Sequence, residues 1–178
     1  MNFELQTGKK QVLRMRANFA AVLLYRRIFL ADMIKDMTEL TQDGIEWDDV
    51  RIDKLFGIIW CFIKNREPET PDYLEWKKAQ PELNAIEIVK SIQTVWVMAS
   101  TPLIENTDAE TPQRDDLQPS LALYLYLARK MGISVSDFSE MIPGEVLDIA
   151  NYEAVMQEVV KDPTYKAAQN DYDEFFSY

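Results

Sequence analysis

Hydrophobic positions along this chain change period early, and the change separates its elements. At the start they alternate. Phe3 and Leu5 share one face of an extended segment, and Leu13, Met15 and Ala17 share one face of a second. Thr7-Gly8-Lys9-Lys10 between them has turn chemistry, so a short β-hairpin is expected. Two strands alone bury too little surface to persist, and the hairpin must pack on helices. From Asn18, a good N-cap, the period lengthens to three and four residues. Val22, Tyr25, Ile28, Phe29, Ala31, Met33, Ile34, Met37 and Leu40 trace one helical stripe, with Lys35 and Glu39 four apart on the outer face. Thr41-Gln42-Asp43-Gly44 is the expected stop.

Trp47-Asp48-Asp49 opens the next helix, its acids complementing the positive helix N-terminus. From Val50 to Lys64 the chain is apolar almost all round (Leu55, Phe56, Ile58, Ile59, Trp60, Phe62, Ile63), the pattern of a central, buried helix. Thr70 reads as the N-cap, with Pro71 at the first helical position, of a short helix Asp72 to Ala79 that presents Tyr73, Leu74 and Trp76; Pro81 breaks it. Asn84 and Glu87 resemble a capping box ahead of a stripe of Ile86, Val89, Ile92, Val95, Trp96 and Ala99.

Residues 100–118 are polar, contain Pro102 and Pro112, and lack periodicity. They form either a linker or an ordered loop on the surface. Beyond them Pro119 and Ser120 start a helix dense in Leu and Tyr, and Gly132 is placed to end it after Met131. Ser134-Val135-Ser136-Asp137 caps another short helix. Pro143-Gly144-Glu145 starts the last long one, running to about Val160, and Lys161-Asp162-Pro163 ends it. The expected fold class is mostly α: a compact helical domain with a short N-terminal β-hairpin, plus a C-terminal helical subdomain. The organisation is residues 1–99, a linker or loop at 100–118, and a helical region at 119–178 with an acidic aromatic tail.

Charge narrows the partners. The chain has 178 residues, 30 acidic and 19 basic, for a net charge of −11. Residues 1–66 carry 11 basic and 9 acidic groups, so the acid excess lies wholly in residues 67–178. Such a chain repels phosphate backbones and anionic membrane surfaces, so neither nucleic acid nor membrane is expected as a partner. No apolar run approaches the ~20 residues that span a bilayer. Met1-Asn2-Phe3-Glu4 lacks the basic-then-apolar design of a signal peptide, which points to the cytoplasm.

Chemistry is excluded mainly by what is missing. There is no histidine, the commonest general base and metal ligand. Cys61 is the single cysteine and sits in an apolar run, which suits an inert buried thiol and cannot make a zinc site. The five glycines form no phosphate-binding or nucleophile-elbow motif. Asp48-Asp49 and Asp115-Asp116 could be imagined as acid pairs, but adjacent helical residues do not face each other. No catalytic, metal-ligating or cofactor-binding residue is expected, and the chain reads as a non-enzyme. The stretch from Leu123 through Gly132 to Met141 imitates a helix-turn-helix, and a DNA-binding regulator is the alternative it raises. Its second helix, Asp137-Phe138-Ser139-Glu140-Met141, is short and acidic, which favours a plain helical corner. Trp47, Trp60, Trp76 and Trp96 lie on apolar stripes and read as core. Tyr172, Phe175, Phe176 and Tyr178 are four aromatics in an acidic tail; they dock either on their own domain or on a partner, and are the candidate partner-binding residues.

Three stretches together resemble the tail assembly chaperones of long-tailed bacteriophages and prophages, of the type found in Gram-positive hosts. The first is Arg16-Ala17-Asn18-Phe19 through Tyr25-Arg26-Arg27-Ile28-Phe29-Leu30-Ala31-Asp32-Met33-Ile34-Lys35-Asp36-Met37. Members often show Tyr-Arg-x-x-Phe-Gly-x-Asp followed by an apolar-Lys-Asp step. The second is the Trp60 helix followed by Pro71-Asp72-Tyr73-Leu74-Glu75-Trp76 and an apolar helix. The third is Leu127-Ala128-Arg129-Lys130-Met131-Gly132-Ile133-Ser134 with Glu140-Met141-Ile142-Pro143-Gly144-Glu145-Val146-Leu147-Asp148. It is similar to the later part of such chaperones, often an extension made by ribosomal frameshifting. Leu30 stands where the family often has Gly, which predicts a first helix continuing through this point without a break. The resemblance implies a protein of the host cell cytoplasm that binds the tape measure protein, keeps it soluble, helps recruit tail tube subunits and leaves before the virion is complete. It implies no catalytic residue and no cofactor. A permanent structural tail protein is the remaining alternative, and a homo-oligomer is left open.

Overall fold

The computed structural model describes residues 1–6, 12–42, 46–80, 85–104 and 119–161, with the side chains of 85–87 and 158–161 excepted. Among these, eight helices accompany one two-stranded antiparallel sheet, so the chain is mostly helical with an N-terminal hairpin, as its periodicity predicts. The expected turn at Thr7-Lys10, the stop at Asp43-Gly44, Pro81, the Asn84 cap, the segment 105–118, and the tail with Tyr172, Phe175, Phe176 and Tyr178 lie outside the described residues.

Strands β1 (Asn2–Gln6) and β2 (Val12–Arg16) pair in a register that sets Phe3 opposite Met15 and Leu5 opposite Leu13. Period-two alternation therefore puts all four on one face, and that face lies on α3 (Asp49–Arg66), with Phe3 edge-on to Phe62. Every residue of α3 from Leu55 to Ile63 is buried, as expected for a helix apolar all round. Asp48 caps it, its carboxylate accepting from the Arg51 amide at 2.8 Å. Asn65 near its end ties it to the hairpin, donating to Arg16 O at 2.9 Å and Asn18 Oδ1 at 2.8 Å.

Two expectations at helix ends are corrected. The stripe from Val22 to Leu40 is not one helix but two, α1 (Phe19–Phe29) and α2 (Met33–Leu40), because Leu30 turns the backbone left-handed (φ 54°, ψ 26°). The N-cap position of the short helix α4 (Tyr73–Lys78) is Asp72, not Thr70, and the Asp72 side chain makes no capping bond. The Thr70 hydroxyl instead points back to Glu67 O at 2.7 Å, closing the turn that ends α3 and leaving Pro71 ahead of the helix.

The remaining helices are α5 (Ala85–Ser100), α6 (Leu121–Lys130), α7 (Val135–Glu140) and α8 (Pro143–Lys161). Among the described side chains of α5, Ile88, Val89, Ile92, Trp96 and Ala99 are buried. Ser120 and Ser134 cap α6 and α7, and Gly132 adopts the positive φ of 71° that ends α6. Helices on both sides of 105–118 enter the same core: Phe19 of α1 stacks on Phe138 of α7 with centroids 4.0 Å apart, and Tyr124 of α6 lies 5.2 Å from Phe19. The first residues of the expected linker are held down. Asp148 of α8 accepts from the amides of Leu103 and Ile104 at 2.6 and 2.8 Å, and Asn151 donates to Ile104 O at 2.8 Å.

Candidate functional site

The corner between α1 and α2 holds Asp36, one of three buried polar or charged residues among those described. Helix α1 ends because Leu30 leaves the right-handed region, and the exposed Arg26 reaches forward to Leu30 O at 3.0 Å. Bulky residues avoid this conformation, since Cβ crowds the backbone carbonyl at a cost of roughly 1–2 kcal/mol. The Leu30 side chain recovers nothing by packing, being 79% exposed. Two residues on, Asp32 restarts the chain as a helix. Its Oδ1 accepts from the Ile34 amide at 3.0 Å, and its Oδ2 accepts from the Leu121 amide at 3.0 Å. One carboxylate thus satisfies free amides at the starts of both α2 and α6, although Asp32 and Leu121 are 89 residues apart in sequence.

Asp36, one turn later, is buried and doubly paired. Tyr25 OH donates to its Oδ2 at 2.9 Å, and Lys54 Nζ of α3 lies 2.8 Å from its Oδ1. Lys54 also meets Glu39 at 2.7 Å, and Arg51 bridges Glu39 and Asp48 at 3.2 and 2.7 Å. Glu39 therefore turns to α3 for its partners, where helical spacing alone pairs it with Lys35. Burial and then the Asp36 charge push the Tyr25 phenol far above its ordinary range, so it stays a proton donor. Burial would lower the Lys54 ammonium, but its bonds to Asp36 and Glu39 outweigh this and raise it.

An aromatic cluster closes the corner from the other side. Phe29 sits 4.8 Å from Tyr25, and edge-on to Tyr73 at 4.9 Å and Trp60 at 6.3 Å. Trp60 Nε1 donates to Pro71 O at 3.0 Å, and Phe56 meets Trp76 edge-on at 6.2 Å. Gly57 admits the α1 rings: a Cβ there would lie 3.1 Å from Phe29 and 3.3 Å from Tyr25. Beside the corner is an open cleft of about 730 Å³ edged by Tyr25, Phe29, Asp36, Asp53, Lys54 and Lys77. Asp53 takes bonds from Tyr73 OH (2.6 Å) and from Lys77. Its lining charges are thus largely neutralised within the chain. The expected inert thiol is found: Cys61 is buried, and burial raises its pKa far above the ordinary thiol range.

A second concavity of about 360 Å³ lies between α6 and α7, edged by Leu125, Ala128, Arg129, Ile133, Val135 and Phe138. Sequence reasoning passed over it. The available signal was the run Leu123-Tyr124-Leu125-Tyr126-Leu127, which holds more apolar positions than one buried stripe can use. Among the described residues no group of three or more His, Cys, Asp or Glu is arranged to hold a metal ion, and no helix is long and apolar enough to cross a membrane. The candidate residues Tyr172, Phe175, Phe176 and Tyr178 lie outside the described residues, so neither concavity is assigned to them by contact. No protein-family model, curated protein or solved structure matches the chain.

Proposed function

We propose that this chain is a phage or prophage tail assembly chaperone: it binds the tape measure protein, keeps it soluble, helps recruit tail tube subunits and is not retained in the virion. The observation that carries this reading is the corner between α1 and α2. Five residues through which the first stretch resembles that family, Tyr25, Arg26, Phe29, Asp32 and Asp36, have distinct tasks there. Tyr25 bonds Asp36, Arg26 bonds Leu30 O, Phe29 joins the aromatic cluster, and Asp32 caps two helices. Position 30, where the family often has Gly, adopts the left-handed backbone that Gly tolerates best. Leu30 is thus a costly residue in a conformation that Gly would hold without strain.

The other two stretches of the resemblance feed the same core. Tyr73 packs on Phe29, and Gly132 makes the turn that brings Phe138 onto Phe19. The net charge of −11 suits a protein that keeps an aggregation-prone client in solution. In this reading the chain has no catalytic role and acts in the host cytoplasm. Charge and packing weigh against a DNA-binding use of α6 and α7: Phe138 is buried in the core, and Glu140 is paired with Arg16 at 2.5 Å.

Co-expression with the tape measure protein encoded beside it is the direct test. The expected result is a soluble complex of the two. A tape measure protein that remains equally insoluble with and without this chain overturns the reading, and finding the chain in purified virions would favour a permanent structural protein instead.

A further inference from the structure

The groove between α6 and α7 has a buried floor and an exposed apolar rim. Ala128 and Phe138 form the floor, while Leu125 is 40% and Val135 75% exposed at its edge. Single exposed apolar residues are ordinary, but these border one concavity, which is the arrangement of a docking surface. Its charge is positive in a strongly acidic chain. Arg129 lines it and has no ion pair among the described residues. The acids of α7 are already engaged: Asp137 takes the Ser134 hydroxyl at 2.7 Å, and Glu140 pairs with Arg16.

The chain carries a segment of complementary chemistry. After α8 come residues 162–178, ending Asp171-Tyr172-Asp173-Glu174-Phe175-Phe176-Ser177-Tyr178. Rings for an apolar concavity are interleaved there with carboxylates for a basic rim. Reach is sufficient. Seventeen residues extend up to about 55–60 Å, whereas the nineteen residues of α8 span only about 28 Å, so the segment can return past the start of α8, which follows α7 directly.

We propose that the α6–α7 groove is the docking site of this chain's own acidic aromatic segment, with Phe175 and Phe176 filling the concavity and Asp173 and Glu174 meeting Arg129. Tethering supplies an effective concentration of about 1 mM, so even an intrinsic affinity of about 1 mM occupies the site roughly half the time. Docking is therefore reversible, and the aromatic residues are withheld from other proteins while seated. This inference does not rest on the chaperone reading, since no partner enters it.

Cross-linking in the full chain tests it, with Cys61 buried and out of reach of oxidant. The double variant Val135→Cys/Ser177→Cys is compared with Leu74→Cys/Ser177→Cys, whose first cysteine lies on α4, which packs on α3. The expected result is an intrachain disulfide forming at least tenfold faster in the first pair, with Phe175→Ala/Phe176→Ala or Arg129→Glu bringing the rate down to that of the second. Equal rates in the two pairs, or a rate indifferent to Phe175→Ala/Phe176→Ala, overturns the proposal. Disulfide-linked dimers as the main product overturn it too, and assign the groove to a second copy. If the Val135 variant fails to fold, a nitroxide on Ser177→Cys in the otherwise unaltered chain gives the same reading. Broadening of the Leu125 and Val135 methyl signals is expected, and unbroadened methyls refute docking.

Discussion

Phe19 and Phe138 stack at 4.0 Å between centroids and 22° between planes, although 119 residues separate them. Both rings are fully buried, so each is the other's solvent shield. Truncating one large buried ring costs about 3–5 kcal/mol. All four tryptophans, Trp47, Trp60, Trp76 and Trp96, precede the 105–118 segment. Phe138→Ala is therefore expected to lower the unfolding midpoint followed by tryptophan fluorescence along with that followed by circular dichroism. A fluorescence transition left in place would mean that the C-terminal helices unfold separately.

Leu30 offers a substitution that improves the fold. The residue bears a left-handed backbone and its side chain is exposed, so Leu30→Gly removes strain and loses almost no packing. We expect about 0.5–1 kcal/mol of added stability in chemical denaturation, after the larger chain entropy of unfolded Gly is deducted. Leu30→Val, β-branched at the same backbone, should be destabilising. A drop in stability for Leu30→Gly would mean that the leucine packs in a way its exposure does not reveal.

Two glycines test opposite causes. A Cβ on Gly144 would sit 2.6 Å from Thr101 O and 3.2 Å from Ala99 O, both backbone atoms that cannot swing aside. Gly144→Ala is expected to force the start of α8 away from the end of α5 at about 1–3 kcal/mol. At Gly132 nothing lies within 4 Å, yet its φ is +71°. Gly132→Ala should therefore cost about 1 kcal/mol through the backbone alone, and Gly132→Asn less. Melting temperatures of the three variants separate the two mechanisms.

Acid should loosen the links from α3 to α2 and to α4. The Lys54 hydrogen bond holds Glu39 below its ordinary value against a smaller cost of burial. At Asp53 burial pushes the carboxyl up, but the bonds from Lys77 and Tyr73 outweigh it and the net shift is down. A carboxyl whose folded pKa is depressed contributes stability above its unfolded value, near ~4, and loses it as pH falls through the folded value. Urea midpoints should be flat from about pH 7 to 5 and decline below about 4. Asp53→Asn should shallow that decline; an unchanged slope would remove Asp53 as a contributor.

At the alkaline end the shifts are upward. Tyr25 and Lys54 are both raised, so the stability they contribute is complete below their unfolded values near ~10 and is lost as pH rises through the folded ones. Tyr25→Phe leaves Asp36 without its phenol and should cost about 1–3 kcal/mol at neutral pH while reducing the alkaline loss. A variant as stable as the parent would show that Lys54 alone satisfies the carboxylate.

The sequence by itself determined the elements that depend on neighbours in the chain. Alternation at Phe3, Leu5, Leu13 and Met15 specified the hairpin, since a strand's side chains change face at every residue. The unbroken apolar run from Leu55 to Ile63 specified the central helix, because no face of it could be left to water. Ser120, Ser134 and Gly132 specified helix ends through bonds reaching two or three residues. Tertiary structure alone decided what depends on distant partners. Nothing local distinguishes Leu30 from a helical leucine. Its left-handed turn is held because Asp32 must cap both α2 and α6, and because Tyr25 must reach Asp36 across the corner. Glu39 likewise found Lys54 rather than Lys35, and Thr70 turned to Glu67 rather than to the helix ahead. The groove above Phe138 emerged only when α7 was laid on Phe19, because a concavity belongs to two packed elements and to neither sequence alone.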